Sequence, residues 1–123
     1  MEDLRNFIRL IIVKNTVIYI HGKNGSDDEA EFYKPLFPGY DVIGIPYKAE
    51  TPWAARAELP KLFDEVCEGS DNVILIANSI GAYFAMLSLA EKKINKAYFI
   101  SPIVDMERLI LDMMKWEIGR AHV

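Results

Sequence analysis

Residues 72–89 read NVILIANSIGAYFAMLSL and contain the clearest strand and helix signals of the chain. Its first part, residues 73–76, is a continuous apolar run rich in β-branched side chains, which is typical of a strand buried on both faces of a parallel sheet. Its last part, residues 82–89, is almost wholly apolar but consists of good helix formers, which predicts a buried helix. Only five residues join the two elements. The sequence therefore predicts a sharp turn with Ser79 at its apex.

The composition is that of one ordinary globular domain over residues 1–123, with 51% hydrophobic and 26% charged residues. The net charge of -4 and the lack of a basic patch argue against nucleic acid as a partner. No apolar run approaches the roughly 18 residues that span a bilayer, and the acidic start differs from a signal peptide. Cys67 is the only cysteine, so an intrachain disulfide or a cysteine metal cluster is excluded. We expect a cytoplasmic protein with no membrane partner, and we expect Cys67 to be a buried structural thiol.

Further apolar runs predict the other strands of the sheet. Residues 16–20, 40–47 and 96–100 have the β-branched and aromatic composition of strands, and polar or proline-containing segments bound them. Residues 7–13 form either an edge strand or, counted as residues 4–12, a short amphipathic helix.

Helix start and stop signals separate these strands. Ser26 and Glu29 have the spacing of a capping box, and Pro35 should end the helix that begins there at about residue 34. A Thr-Pro pair at residues 51–52 opens the next helix, which Pro60 should kink or split in two. Strands alternating with helices predict a three-layer α/β fold: a mainly parallel central sheet of about four to five strands with helices on both faces.

The final stretch, residues 105–116, has the pattern of an amphipathic helix. Its apolar positions fall at helical spacing, with charged residues on the opposite side: Met106, Leu109, Ile110 and Met113 against Glu107, Arg108, Asp112 and Lys115. Such a helix either walls a pocket beside the turn at Ser79 or packs in the ordinary way against the sheet or a second chain.

The turn Ala77-Asn78-Ser79-Ile80-Gly81 resembles the nucleophile elbow of the α/β-hydrolase superfamily, small-x-Ser-x-Gly between a strand and a helix. The small flanking residues let strand and helix approach closely, and Ala77 replaces the usual first glycine. The resemblance implies that Ser79 is a nucleophile. The alternative from the residues alone is that Ser79 is the N-cap of a buried helix, a position that serine favours.

The loop His21-Gly22-Lys23 follows a predicted strand and resembles the oxyanion loop of the same superfamily. The resemblance implies that the amides of Lys23 and Ile80 point at one oxygen atom near Ser79, and that His21 shapes the loop. Read without the resemblance, the loop is a glycine-rich turn before a capped helix.

The resemblance covers residues 16–102 and implies a partial α/β-hydrolase fold, the lid-like helix at residues 105–116 following this core. The four strands from residue 16 onward would then lie in the spatial order third, second, fourth, fifth, counting the segment at residues 7–13 as the first. The implied function is esterase-like acyl transfer on a small ester, without cofactor or metal.

The acid and histidine of that superfamily follow the nucleophile on later strands, whereas only His122 follows Ser79 here. We therefore expect a truncated, catalytically incomplete hydrolase. Two other classes stay open: a non-catalytic α/β interaction domain, and an enzyme completed by a second chain. The strand at residues 96–100 would be an open sheet edge, so we also expect a homo-oligomer formed through this edge and the helix at residues 105–116.

Overall fold

The computed structural model describes residues 13–101 without a gap, together with Leu4 and seven residues near the C-terminus, 107, 108, 110–112, 114 and 115. Apart from Val13, the element predicted at residues 7–13 lies outside the described residues. So do Trp116 and His122.

Four strands form one parallel sheet: β1 (Asn15–Ile20), β2 (Asp41–Gly44), β3 (Asn72–Asn78) and β4 (Lys96–Ile100). Their spatial order is β2-β1-β3-β4, as predicted. Ile20 at the end of β1 is in register with Ala77 near the end of β3. The loops that follow these two strands therefore begin side by side at the same edge of the sheet.

Helical segments cover both faces of the sheet, which confirms the predicted three-layer fold. Two helices, α1 (Pro52–Val66) and α2 (Ile80–Ser88), lie on one face, and a 3₁₀ segment (Asp27–Leu36) lies on the other. Side chains of β1 alternate between the two cores: Ile18 and Ile20 pack with the helices, and Val17 and Tyr19 pack with the 3₁₀ segment. All four are buried because β1 lies in the interior of a covered parallel sheet.

The segment predicted as a capped helix from Ser26 differs from that prediction in two ways. It is a 3₁₀ helix that continues through Pro35 to Leu36, and the Ser26 side chain makes no capping hydrogen bond. The Glu29 carboxylate, instead of reaching back to Ser26, accepts a hydrogen bond of 2.7 Å from the Tyr19 hydroxyl. A tyrosine on a buried strand needs a partner for its hydroxyl, and this need outweighs the capping box.

Helix α1 begins as predicted, with Thr51 Oγ1 accepting a hydrogen bond of 3.1 Å from the Ala54 amide and with Pro52 at the first position. Pro60 does not split it, because the helix runs unbroken from Pro52 to Val66. Pro60 removes one backbone donor, and its neighbours Leu59 and Phe63 are both buried in the core that α1 shares with the sheet.

Strand β2 is shorter than the predicted run of residues 40–47. A side chain at Gly44 would overlap the Asp27 backbone, so the 3₁₀ segment crosses closely at this point. The Ile45 amide still donates to the Tyr19 carbonyl at 2.8 Å, but Pro46 has no amide with which to continue the ladder.

Strand β4 is exposed along its whole length, unlike the other three. Its apolar residues point to both faces, with Phe99 38% and Tyr98 40% exposed. Strand β2 at the other edge is protected by the 3₁₀ segment. The sheet therefore ends, within the described chain, on a strand whose composition is that of an interior strand.

The described residues between 107 and 115 are helical, in agreement with the predicted helix, but their exposure differs from the prediction. Ile110, expected on the buried face, is 52% exposed, whereas Asp112, expected in solvent, is 2% exposed. Asp112 is buried because its carboxylate accepts a hydrogen bond from the Tyr83 hydroxyl of α2 and lies 3.6 Å from Arg108 Nε. A buried carboxylate needs such partners.

Candidate active site

Ser79 lies on the turn between β3, which ends at Asn78, and α2, which begins at Ile80. Its backbone has φ 56° and ψ -125°, a conformation that a residue with a side chain rarely adopts. Its side chain makes no hydrogen bond to the helix, so Ser79 occupies the N-cap position without capping. The predicted strained strand-to-helix turn is confirmed.

Gly81 allows this turn to lie against the end of β1. A Cβ atom on Gly81 would lie 2.5 Å from the His21 carbonyl oxygen and 2.8 Å from that of Ile20. Only glycine fits this approach without a shift of the backbone. Ala77, the position at which the sequence departs from the usual glycine, is fully buried, and its methyl group is part of the core.

Gly22 brings the loop after β1 into contact with Ser79, as the sequence predicts. A Cβ atom at Gly22 would lie 3.0 Å from Ser79 Cβ and 3.7 Å from its hydroxyl oxygen. The Gly25 amide donates to the Gly22 carbonyl at 3.1 Å and closes the loop into a tight turn, in which Asn24 has a φ of 64°. The glycine therefore leaves room beside the Ser79 hydroxyl.

His21 is held in this loop by contacts of its ring and of its backbone carbonyl. Its Nδ1 donates to the Gly22 carbonyl at 2.8 Å, which places the ring proton on that nitrogen. The ring stacks on Tyr47 with centroids 4.4 Å apart, and the Tyr47 hydroxyl donates to the His21 carbonyl at 2.6 Å. Burial raises the pKa of Tyr47 to about 12, so its hydroxyl keeps its proton at neutral pH. These contacts give His21 a structural place in the loop.

A cleft of about 400 Å³ opens next to the turn that carries Ser79, and Ser79 itself is not among its lining residues. Its walls combine aromatic, small and charged side chains from the loop after β1, the segment after β2 and the start of α2: His21, Gly22, Lys23, Asn24, Tyr47, Lys48, Ala49, Glu50, Ile80 and Phe84. Gly22, which contacts Ser79, and Ile80, which follows it, are both in the lining. Lys23 and Ile80 thus lie in one cleft, while the convergence of their amides on one oxygen stays a prediction.

Sequence reasoning missed two tyrosines that support the site. Tyr47 stacks on His21 and meets Phe84 edge-on, so it connects the loop to α2. The Tyr19 hydroxyl donates a hydrogen bond of 2.7 Å to the Glu29 carboxylate and so joins β1 to the 3₁₀ segment. A tyrosine in a buried apolar strand is a signal for Tyr19, since its hydroxyl must find a partner. Tyr47 stands after Pro46 at the end of the predicted run 40–47, and its partner, the His21 carbonyl, is 26 residues away in the sequence, where no local pattern indicates it.

Other candidate groups lie away from this cleft. Cys67, expected to be buried, is half-buried at the end of α1, where it packs against the core. Burial raises the pKa of its thiol to about 11, which disfavours the reactive thiolate. No cluster of three or more His, Cys, Asp or Glu side chains that could hold a metal ion occurs in the described part of the chain. None of the described helices is long and apolar enough to cross a bilayer.

Comparison with known proteins shows a similarity to an esterase/lipase. No family model matches the chain. Over 103 aligned residues the chain is 30% identical to the Mycoplasma genitalium protein named "Putative esterase/lipase 3". The match covers 73% of this chain and 37% of the relative, so the chain spans little more than a third of the relative's length. The likeness supports a hydrolase in general terms.

Proposed function

We propose that this protein is a serine hydrolase of the α/β-hydrolase type, with Ser79 as the nucleophile that takes the acyl group of a small ester. The observation that carries the proposal is the backbone of Ser79, which has φ 56° and ψ -125°. Its turn is closely packed at Gly22 and Gly81, where a side chain would collide with neighbouring atoms. Strained residues persist only where the surrounding structure enforces them, and they are concentrated at active sites. The similarity to an esterase/lipase supports the same class of reaction.

In the proposed reaction the Ser79 hydroxyl oxygen attacks the ester carbonyl carbon, and the carbonyl electron pair moves onto its oxygen. A base takes the hydroxyl proton. When the tetrahedral intermediate collapses, the bond to the alcohol breaks and the alcohol leaves with that proton. Water then attacks the acyl group on Ser79 in the same manner and releases the acid.

The negative oxygen of the tetrahedral intermediate is the charge that this site would stabilise. We assign its two donors to the amides of Lys23 and Ile80, which belong to lining residues of the same cleft. The N-terminus of α2 adds a partial positive charge at Ser79, because Ile80 is the first residue of that helix. Gly22 contributes by having no side chain to fill the space above the Ser79 hydroxyl.

The base is the incomplete part of the proposed site. The hydrogen bond from His21 Nδ1 to the Gly22 carbonyl orients the ring and leaves Nε2 unprotonated, and we assign His21 to shaping the loop because the resemblance gives a histidine at this position that role. A serine without a base within hydrogen-bond reach is a poor nucleophile at neutral pH. We therefore expect this chain by itself to hydrolyse esters only weakly.

Hydrolysis of p-nitrophenyl acetate tests the proposal. An oxyanion site and binding alone leave a rate of about 10³ to 10⁴ over water in serine enzymes stripped of triad members, so we expect a slow but measurable rate. Part of this rate can persist without the serine, so the deciding readout is acetylation of Ser79 itself, which mass spectrometry should detect in the folded wild type and not in Ser79→Ala or in the urea-unfolded chain. A folded wild type in which Ser79 is never acetylated would overturn the proposal.

A His122→Ala variant tests whether the site is complete. We expect it to match the wild type. If the wild type instead turns over rapidly, and both Ser79→Ala and His122→Ala lose a factor of about 10⁴ or more, then His122 is the base and our account of an incomplete site is wrong.

A second candidate, an enzyme or interaction domain completed by another polypeptide, is favoured by strand β4. All of its residues are exposed although its composition is apolar on both faces. Further strands added at this edge would bury it. Activity that appears only on mixing with a partner would support this candidate over the single-chain enzyme.

A further inference from the structure

We propose that the cleft beside Ser79 selects esters whose acyl or alcohol part carries a carboxylate. This inference rests on the proposed function for its meaning, since it names the substrate class of the same site. It concerns binding, however, and its test does not require turnover.

Among the polar groups of the cleft, the charged side chains have the fewest hydrogen-bond and ion-pair partners. Most polar atoms with a fixed position in the lining have internal partners: the Tyr47 hydroxyl and His21 Nδ1 bond within the loop, and the Lys48 amide donates to Glu58 at 2.7 Å. For the side chains of Lys23, Lys48 and Glu50, the described residues provide neither a hydrogen bond nor an ion pair. These three groups are therefore available to a ligand.

The charge of the cleft is opposite in sign to that of the protein. Two lysines and one glutamate give the lining a net positive charge, whereas the chain as a whole carries -4. The Glu58 carboxylate accepts a hydrogen bond from the Lys48 amide and lowers this positive charge, so the attraction for a small anion is local to the lysine side chains. The proposed oxyanion amides and the start of α2 add to the same positive potential.

The rest of the lining fits a short organic chain attached to that anion. Tyr47 and Phe84 meet edge-on with ring centroids 6.2 Å apart, and Ala49 and Ile80 add apolar surface. A volume of about 400 Å³ is at the small end of ligand sites. A short diacid monoester, with an ester at Ser79 and a carboxylate at the lysines, matches both the polar and the apolar parts.

The test compares two nearly isosteric esters, monomethyl succinate with one carboxylate and dimethyl succinate with none. NMR titration of the folded chain should show that the monoester binds about five-fold more tightly at low salt, with the difference shrinking at about 0.5 M salt because of screening. The Lys48→Ala variant should remove most of this preference, and Glu50→Gln should increase it. Lys93→Ala, which removes the same charge at an exposed position outside the cleft, should leave it unchanged.

Equal affinity for the two esters, no binding of either, or a preference that Lys93→Ala and Lys48→Ala reduce equally would overturn the inference. Failure of the proposed function looks different. If Ser79 is unreactive but the monoester still binds through Lys48, the cleft is an anion-binding site without esterase chemistry.

Discussion

Ser79 occupies the N-cap position of α2 without giving the helix the hydrogen bond that a serine there normally supplies. Such a bond is worth about 1 kcal/mol of helix stability. The positive φ of Ser79 adds a strain of about 1–3 kcal/mol. The fold therefore holds this residue against its own local preference, which is expected of a reactive group and not of a cap.

Replacing Ser79 by glycine tests this strain directly. Glycine adopts a positive φ readily, so we expect Ser79→Gly to raise the free energy of unfolding by about 1 kcal/mol. The matched control is Thr51→Ala, which removes a true cap and should lower it by about 1 kcal/mol. Urea denaturation of the three proteins measures both changes. A loss of stability in Ser79→Gly similar to that in Thr51→Ala would mean that Ser79 is an ordinary cap.

The buried hydroxyl of Tyr47 should make the folded protein less stable at alkaline pH. Its folded-state pKa of about 12 lies above the ordinary value of 10.0, because burial disfavours the phenolate. The stabilisation is full below pH 10 and disappears as the pH rises from 10 to about 12, with about 1 kcal/mol lost by pH 11. Between pH 8 and pH 11 the urea midpoint should therefore fall less in Tyr47→Phe than in the wild type, because the variant has no hydroxyl at this position to lose a proton. Parallel pH curves for the two proteins would contradict the assignment.

At the scale of elements, the Tyr83–Asp112 hydrogen bond attaches the helical residues near the C-terminus to α2. Both residues are buried, so removing one partner leaves the other unsatisfied. We expect Tyr83→Phe to lower the free energy of unfolding by about 2 kcal/mol. Tyr98→Phe, which changes the same group at an exposed position, should have an effect below about 0.5 kcal/mol.

A double-mutant cycle separates this bond from other effects. If Tyr83 and Asp112 interact, Tyr83→Phe together with Asp112→Asn should cost less than the sum of the two single changes, by at least about 0.5 kcal/mol. Strict additivity would show that the contact contributes nothing.

The elements most accurately predicted from sequence are those in which composition and position agree. The strands β1 and β3, the helix start at Thr51 and the turn at Ser79 all follow from local signals that the packing reinforces. The errors occur where a contact distant in sequence decides. The Glu29 carboxylate accepts a hydrogen bond from Tyr19, the buried Asp112 accepts one from Tyr83, and the 3₁₀ segment passes close to Gly44. No local pattern contains those partners. The roles of the site residues also depend on groups from distant segments of the chain, so they stay predictions.

Strand β4 is an exposed edge of the sheet within the described chain. Its outer edge presents unpaired backbone groups within the described chain, and its side chains are exposed on both faces. Such an edge pairs readily with another strand. We propose that the protein self-associates through β4, and we expect the described apolar residues Ile110, Leu111 and Met114, which are also exposed, to add to the interface.

Sedimentation velocity at micromolar concentration checks this proposal. We expect a dimer or larger species for the wild type and a shift to monomer for Phe99→Lys, which places a charge on the exposed edge strand. The control Phe32→Lys changes an exposed phenylalanine on the 3₁₀ segment and should not alter the assembly. A monomeric wild type would refute self-association.

Covalent labelling by a fluorophosphonate probe distinguishes a Ser79 that the fold activates from an ordinary serine. With excess probe over hours, even a slow reaction is detected, and mass spectrometry of the digested protein locates the adduct. We predict one adduct, on Ser79, that is lost in Ser79→Ala, retained in Ser26→Ala and absent from the urea-unfolded chain. A folded protein that stays unlabelled, or one labelled at serines in general, would contradict the account.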